Sequence, residues 1–219
     1  MKSFSQYSID RMVYRQTPKP KHQKRLDSPE DYTYLNCTSF DAPVMMFPPN
    51  SSIDTQTELC LINHHTQMCL DPSGLEHRYD DDFNWAFEEL CNSNGLEYDK
   101  DYFKALMKEC ASITIRLKYR FNRPRPYQLA PVLGIDLMIQ DSDTAKTPSF
   151  PSGHSMQAMT QALVIAKMYP GIEKEAIKLA KDISMSRIVG GHHYPSDVEY
   201  GEFLGQWISQ HVEVPDINN

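Results

Sequence analysis

Three short segments in the second half of the chain carry side chains that can bind an anion and transfer a group or a proton. They read KYRFNRPRP from residue 118, PSGH from residue 151 and SRIVGGHHYPSD from residue 186. Arginine and lysine bind phosphate oxygens, and histidine can act as a nucleophile or exchange protons near neutral pH. If their segments are helices, Arg187 and Lys118 each share a helix face with apolar residues. This combination indicates chemistry on a bound anion.

Several of these polar side chains fall on the apolar faces of predicted helices, where an unpaired charge is costly. They are Lys118, His154, Arg187 and Asp197. Each alone has an ordinary structural explanation, such as a satisfied core histidine or an arginine paired with a carboxylate. Together with Arg125 and His193 they bring more positive than negative charge into one interior. Phosphate is the anion that we expect to neutralise it.

The elements that must position these residues are predicted to be helices. Apolar periodicity and capping signals predict two helices between residues 57 and 93, and further ones over 99–121, 151–169, 172–189 and 197–211. Strand signals are scarce, so the fold class is all-α. We expect a loop-rich N-terminal arm over residues 1–55 and a single helical bundle domain over residues 56–219.

Composition excludes several other classes of protein. The 219 residues are 40% apolar, which suits one domain, and the net charge of −7 argues against a nucleic-acid partner. Five cysteines without CxxC spacing favour a reducing compartment. Neither a secretory signal core nor a run of about 18 apolar residues is visible. The sequence therefore predicts a soluble cytoplasmic protein without membrane association.

The order and spacing of the three segments match a known family. Lys118 is followed by six residues and Arg125-Pro126, then by the PSGH block, and Ser186-Arg187 precedes His193 by five residues and Asp197 by nine. This pattern resembles the type 2 phosphatidic acid phosphatase superfamily over about residues 118–197. Without spanning helices, the chain looks most like the soluble branch, the bacterial class A non-specific acid phosphatases, which are related to the vanadium haloperoxidases.

The resemblance assigns a role to each motif residue. Lys118, Arg125 and Arg187 would bind the phosphate oxygens, and His193 would be the nucleophile that forms a phosphohistidine. Asp197 would orient His193, and His154 would be the general acid and base. Ser152 and Gly153 lie where a helix begins, so a hydroxyl and free N–H groups there would add to phosphate binding.

Neighbouring residues of the same types are assigned to other roles. Only His193 satisfies both gaps of the motif, so His192 is expected to lie behind the site or on the surface. His64-His65 and the acidic run at residues 80–82 lack the spacing of metal ligands, and no metal is expected. Arg120, Arg123 and Lys146 are either solvated or at the pocket mouth. The opposite protonation states required of His193 and His154 predict a bell-shaped, acidic pH optimum.

Three functions remain in competition. The leading one is a metal-independent acid phosphatase that acts on small soluble substrates such as nucleotides, sugar phosphates or a diphosphate, uses no cofactor and is inhibited by vanadate. The second is a vanadium-dependent haloperoxidase, in which vanadate would be the cofactor. The third is a phosphate-binding protein without turnover. A homo-oligomer is possible, because the related soluble enzymes often self-associate.

Overall fold

Helices make up the regular structure of residues 4–215, which are the residues that the computed structural model describes, apart from one isolated bridge between Leu35 and Val212. The all-α class is confirmed. The helices are α1 (Phe4–Asp10), α2 (Pro20–Asp27), α3 (Ile53–Met68), α4 (Pro72–Asp80), α5 (Asn84–Ser93), α6 (Lys100–Phe121), α7 (Pro126–Leu129), α8 (Gly153–Met168), α9 (Glu173–Val189) and α10 (Pro195–Ser209).

The long helices begin and end where the sequence carries capping signals. The Asp99 side chain accepts a hydrogen bond from the Tyr102 amide at the start of α6, and Asn122 ends that helix in the left-handed conformation with φ of 52°. The Ser152 side chain accepts from the Ser155 amide at the start of α8. The predicted ends of these helices are therefore correct to within two residues.

Helix α8 occupies the centre of the bundle and packs against α9 and α10. Its closest approach to α10 depends on Gly201, where an added Cβ would lie 2.6 Å from the Ser152 carbonyl oxygen. The Ser152 amide also donates to the backbone carbonyl of Asp197 over 2.9 Å. The first turns of α8 and α10 are thereby fixed against each other, and both carry motif residues.

The region from 53 to 93 contains three helices where two were predicted. We expected the acidic run at residues 80–82 to begin a helix, but Asp80 is the last residue of α4 and α5 begins only at Asn84. A carboxylate at the C-terminus of a helix is unfavourable for the helix dipole. Asp80 is tolerated there because it pairs with Arg187.

The N-terminal arm is largely irregular but contains α1 and α2, which the sequence did not predict. Its backbone is tied to the bundle by hydrogen bonds from the Tyr14 amide to the Asn122 carbonyl and from the Asn36 amide to the His211 carbonyl. The arm lies close to the functional site, because the Tyr14 bond holds it against the end of α6.

Candidate active site

His193 and Asp197 form a buried pair at the start of α10. His193 lies on the turn before the helix, and its Nδ1 is 3.1 Å from Asp197 Oδ2. The same carboxylate oxygen accepts the Tyr194 amide over 3.0 Å, which caps the helix. The side chains of His193 and Asp197 are 3% and 0% exposed, so water competes little for this contact.

A tight turn brings Arg187 and His193 to the same place. The Arg187 carbonyl accepts from the amides of both His192 and His193, at 3.1 and 3.2 Å. Gly191 within this turn has φ of +77°, and a Cβ there would lie 2.7 Å from the Met138 carbonyl oxygen. The glycine and the closed turn explain why the two motif residues are separated by five positions.

The contacts of His193 determine which of its nitrogens carries the proton. Asp197 Oδ2 beside Nδ1 can only accept, so Nδ1 is protonated. Arg125 Nη1 lies 3.0 Å from Nε2 and can only donate, so Nε2 presents a lone pair. The pKa of His193 lies well below its usual range because of burial and the positive charges of Arg125 and Lys118. The imidazole is therefore neutral, with the lone pair a nucleophile needs.

Lys118 and Arg125 are buried cations without a carboxylate partner within the described part of the chain. Lys118 Nζ donates to the carbonyls of Pro148 and Ser149 at 2.9 and 3.0 Å. Arg125 donates to the carbonyls of Thr147 and His192 at 2.7 and 2.8 Å, besides its contact with His193. Burial lowers the pKa of both side chains, that of Arg125 to about 10. A bound anion would relieve this cost.

Arg187, the third predicted phosphate ligand, is already paired with two carboxylates of α4. Its Nη2 lies 2.8 Å from Asp80 Oδ1 and its Nη1 lies 3.2 Å from Glu76 Oε1. Glu76 and Asp80 are four residues apart and so share one face of α4. Burial works against the Asp80 charge, but Arg187 and two hydroxyls hold the Asp80 pKa well below its usual range.

His154 lines the same pocket from the first turn of α8. Its Nε2 is 2.9 Å from the Asp80 carbonyl oxygen, which can only accept, so Nε2 carries a proton. Nδ1 is then the nitrogen that can exchange a proton with a substrate. Burial and Arg187 lower the pKa of His154 to about 3. The pocket without an anion therefore holds His154 neutral, and a bound phosphate would raise its pKa.

The two residues predicted to bind phosphate at the start of α8 have different surroundings in the structure. Gly153 lines the pocket, and a Cβ there would lie 3.3 Å from Thr114 Cγ2. Ser152 is fully buried, and its hydroxyl oxygen accepts from the amide and the hydroxyl of Ser155. The Ser152 side chain therefore caps the helix, and the direct phosphate contact predicted for it stays a prediction.

Arg123 contacts the candidate site from a position that the sequence did not reveal. We expected it to be solvated or at the pocket mouth, but its side chain is 0% exposed. Its Nη1 lies 2.7 Å from Asp197 Oδ1, and its Nη2 lies 3.0 Å from Glu58 Oε2. Arg123 therefore fixes Asp197 from the side opposite His193. The sequence signal that was available is the position of Arg123, two residues before Arg125 in the segment that ends α6.

His192 is buried behind the site rather than on the surface. Its Nε2 lies 3.0 Å from Glu76 Oε1, the oxygen that Arg187 also contacts. Burial and the nearby arginines lower the pKa of His192 to about 3, and burial raises the pKa of Glu76 to about 7. Among residues 4–215, no group of three or more potential ligands is arranged to hold a metal ion.

Known proteins share the segment that carries this site. Residues 105–212 match the sequence profile of the PAP2 superfamily. The chain contains a PAP2 superfamily domain. That segment includes all eight residues predicted to bind phosphate or take part in catalysis, from Lys118 to Asp197.

Curated relatives of the PAP2 domain include phosphatases of several kinds. The chain is 30% identical over 82 residues to the non-specific acid phosphatase of Providencia stuartii, covering 37% of this chain and 33% of that protein. It is 38% identical over 68 residues to the lipid A 1-phosphatase of Rhizobium etli, covering 31% and 29%. It is 30% identical over 102 residues to the decaprenylphosphoryl-5-phosphoribose phosphatase of Mycobacterium tuberculosis, covering 47% and 52%.

A solved structure shares the fold. The transmembrane PAP2 type phosphatidylglycerolphosphate phosphatase from Bacillus subtilis superposes with a TM-score of 0.52 and 20% identity, over 73% of this chain and 84% of that one. The matched segments span 29% to 52% of the length of the curated relatives described above. None of the helices between residues 4 and 215 has both the length and the apolar composition needed to cross a membrane.

Proposed function

We propose that this chain is a metal-independent phosphatase that transfers a phosphoryl group from a small soluble substrate to His193 and then to water. The observation that carries the proposal is the convergence of Lys118 and Arg125, two buried cations without a carboxylate partner in the described residues, beside the lone pair of His193 Nε2. A phosphate placed there would be bound by the cations and attacked by the imidazole.

The first step forms a bond between Nε2 and phosphorus, in place of the hydrogen bond that Nε2 accepts from Arg125, while the bond from phosphorus to the leaving oxygen breaks. Asp197, fixed by Arg123, keeps the proton on Nδ1 and stabilises the positive charge that develops on the ring. The leaving oxygen takes a proton from His154 Nδ1. Lys118, Arg125 and Arg187 stabilise the charge on the three non-bridging oxygens.

The second step returns the enzyme to its starting state. His154, now neutral, accepts a proton from a water molecule as that water attacks phosphorus. The bond between phosphorus and Nε2 breaks, and inorganic phosphate leaves. His154 is protonated in the first step only if the bound dianion raises its pKa, which burial and Arg187 lower to about 3 in the pocket without an anion. Substrate binding therefore prepares the general acid.

The dimensions of the pocket support a small substrate. Its volume is about 240 Å³, whereas pockets for drug-sized ligands are roughly 300–1,000 Å³. Charged residues Arg25, Asp81 and Asp82 surround the pocket beside the phosphate site. The proposal includes a cytoplasmic location, which the five free cysteines support. Fractionation of cells that make the protein would test this location.

The decisive experiment measures phosphate release from phenyl phosphate between pH 4.5 and 8 in the presence of EDTA. We expect turnover by the intact chain and a loss of at least a thousandfold in His193→Ala, with His64→Ala, an exposed histidine of α3, as the matched control. Alkaline quenching and mass spectrometry should find phosphate on His193. Vanadate should inhibit, because it adopts the geometry of the transition state.

Two results would overturn the proposal. Loss of turnover in EDTA that zinc or magnesium restores would show a metal-dependent reaction. Absence of turnover together with vanadate-supported oxidation of bromide by peroxide would establish the haloperoxidase alternative. Faster turnover of phosphatidic acid in mixed micelles than of phenyl phosphate would contradict only the small soluble substrate.

A further inference from the structure

Helix α2 of the N-terminal arm forms one wall of the pocket that contains His193. The arm is held there by Arg116 of α6, whose guanidinium donates to the carbonyls of Arg25 and Ser28 and lies 3.1 Å from Glu30 Oε1. These contacts fix the last turn of α2 and the residues after it. The wall is therefore part of the folded site and does not have to form when a substrate binds.

Two side chains of α2 line this pocket and have unused binding capacity. His22 is 9% exposed, and its Nδ1 is buried and has no hydrogen-bond partner in the described chain. Arg25 is half-buried and forms no ion pair with any carboxylate of residues 4–215. A basic residue in the last turn of a helix often only stabilises the helix dipole. The exposed Lys24 already stabilises the dipole of α2 from its last turn. The helix dipole therefore does not explain why Arg25 is partly buried in the pocket wall.

Acidic side chains also line this pocket. Asp81 and Asp82, in the connection between α4 and α5, are exposed and line the same pocket. A substrate with a second negative charge would be repelled by these carboxylates and attracted to the basic side chains of α2. Apolar side chains of α6, among them Met107 and Ile115, also line the pocket and offer no polar group to a substrate. The charge distribution thus gives the leaving group one preferred direction.

We propose that His22 and Arg25 form a second anion subsite, which selects substrates whose leaving group carries its own phosphate or carboxylate. This inference rests on the proposed function, because it places the transferred phosphate on Lys118, Arg125 and Arg187. Arg25 would bind the second anion through its planar guanidinium. His22 would donate a hydrogen bond as a neutral imidazole, since burial, Lys21 and Arg25 lower its pKa to about 4.

Binding of three phosphonates that cannot be hydrolysed tests the subsite without turnover. Ethylphosphonate carries one anionic group, phosphonoacetate adds a carboxylate, and methylenediphosphonate adds a second phosphonate. By calorimetry at pH 7.5, we expect the intact chain to bind at least one of the last two about tenfold more tightly than ethylphosphonate. Comparison of the two shows which second anion the subsite prefers.

Variants of α2 then assign the preference to Arg25. Arg25→Gln should abolish the discrimination, Arg25→Lys should keep part of it, and Lys24→Gln, the exposed neighbour in the same turn, should leave it unchanged. The subsite is overturned if the intact chain shows no preference, if Arg25→Gln weakens all three ligands equally, or if Lys24→Gln removes the preference as fully.

The two proposals fail in different ways. If the phosphonates behave as expected but phenyl phosphate and diphosphate are not hydrolysed, the phosphatase proposal falls and the anion subsite stands. If phenyl phosphate is hydrolysed through His193 and Arg25→Gln changes kcat/KM for phenyl phosphate and diphosphate by the same factor, the subsite falls and the phosphatase stands.

Discussion

Arg187 and Asp80 form a buried ion pair, with Nη2 of the arginine 2.8 Å from Oδ1 of the carboxylate, inside the pocket where a phosphate is expected. The same carboxylate oxygen accepts hydrogen bonds from Ser142 and Thr144 over 2.8 and 2.5 Å. Asp80 therefore holds Arg187 in place but also competes with the substrate for its positive charge. The balance between these two effects can be measured.

Asp80→Asn should tighten the binding of inorganic phosphate and weaken the fold. Removal of the negative charge leaves Arg187 with only Glu76 as counter-charge, so we expect the inhibition constant of phosphate to fall by about fivefold or more. Breaking a buried ion pair typically costs about 3–5 kcal/mol, and the remaining Glu76 contact should bring the loss toward roughly 2–3 kcal/mol in urea unfolding. Asp136→Asn, an exposed carboxylate, is the control. Weaker phosphate binding in Asp80→Asn would show that Asp80 mainly positions Arg187.

Arg123→Lys should lower kcat and leave KM nearly unchanged. Arg123 contacts Asp197 and Glu58 but does not line the pocket, so its effect must pass through the orientation of the His193–Asp197 pair. Lysine keeps the charge but cannot contact Asp197 and Glu58 at once through two guanidinium nitrogens. We expect kcat to fall by about tenfold to a hundredfold. Arg120→Lys, on the exposed face at the end of α6, should be neutral. A rise in KM of similar size would mean that Arg123 acts on the substrate instead.

The half of the site that is built from residues close in sequence was predicted from local sequence together with the family resemblance. His193 and Asp197 are four positions apart at a helix start, and the turn that joins them to Arg187 is marked by Gly190 and Gly191. Charge and periodicity also placed Lys118 in the interior, where it is 5% exposed. These features depend on the number of residues between the side chains, which can be counted in the sequence.

The carboxylates that surround the motif depend on tertiary structure and were not predictable in the same way. Glu76 and Asp80 reach Arg187 across more than 100 residues, and Glu58 reaches Arg123 across 65. Glu76 and Asp80 lie on the nine-residue helix α4 and Glu58 on the 16-residue helix α3, and the buried faces of both helices include polar residues, so no apolar stripe indicates which face is buried. No sequence signal indicated the Asp80 pair, because we expected the acidic run at residues 80–82 to begin a helix and it ends one.

Unfolding stability should decrease as the pH falls from about 6.5 toward 4. The pKa values of His154 and His192 are lowered to about 3, and that of His193 lies well below its usual range, so the folded chain binds fewer protons than the unfolded chain in this window. Glu76, with its pKa raised to about 7, has the opposite sign but is a single group. Each net proton gives a slope of roughly 1.4 kcal/mol per pH unit.

Two further measurements identify the source of this slope. His192→Gln, which keeps a donor toward Glu76, should reduce the slope, whereas exposed His64→Gln should not. Inorganic phosphate should stabilise the chain more at pH 5.5 than at pH 7.5, because the bound anion favours protonated histidines. Stability that rises with acidity over this range would show that Glu76 outweighs the histidines.

Gly201→Ala should reduce both stability and activity, because it separates the two helices that begin at the site. The added Cβ would lie 2.6 Å from the Ser152 carbonyl oxygen and 3.0 Å from Ser155 Cβ, and neither can move without shifting α8. We expect a loss of about 1–3 kcal/mol, as for other cases of overpacking. Gly171→Ala is the matched control, since nothing lies within 4 Å of its added Cβ.

The Ser152 amide reaches the Asp197 carbonyl across this same contact. A drop in kcat should therefore accompany the loss of stability at temperatures where the variant is still folded, and full kcat in a destabilised Gly201→Ala would show that the site tolerates movement between α8 and α10.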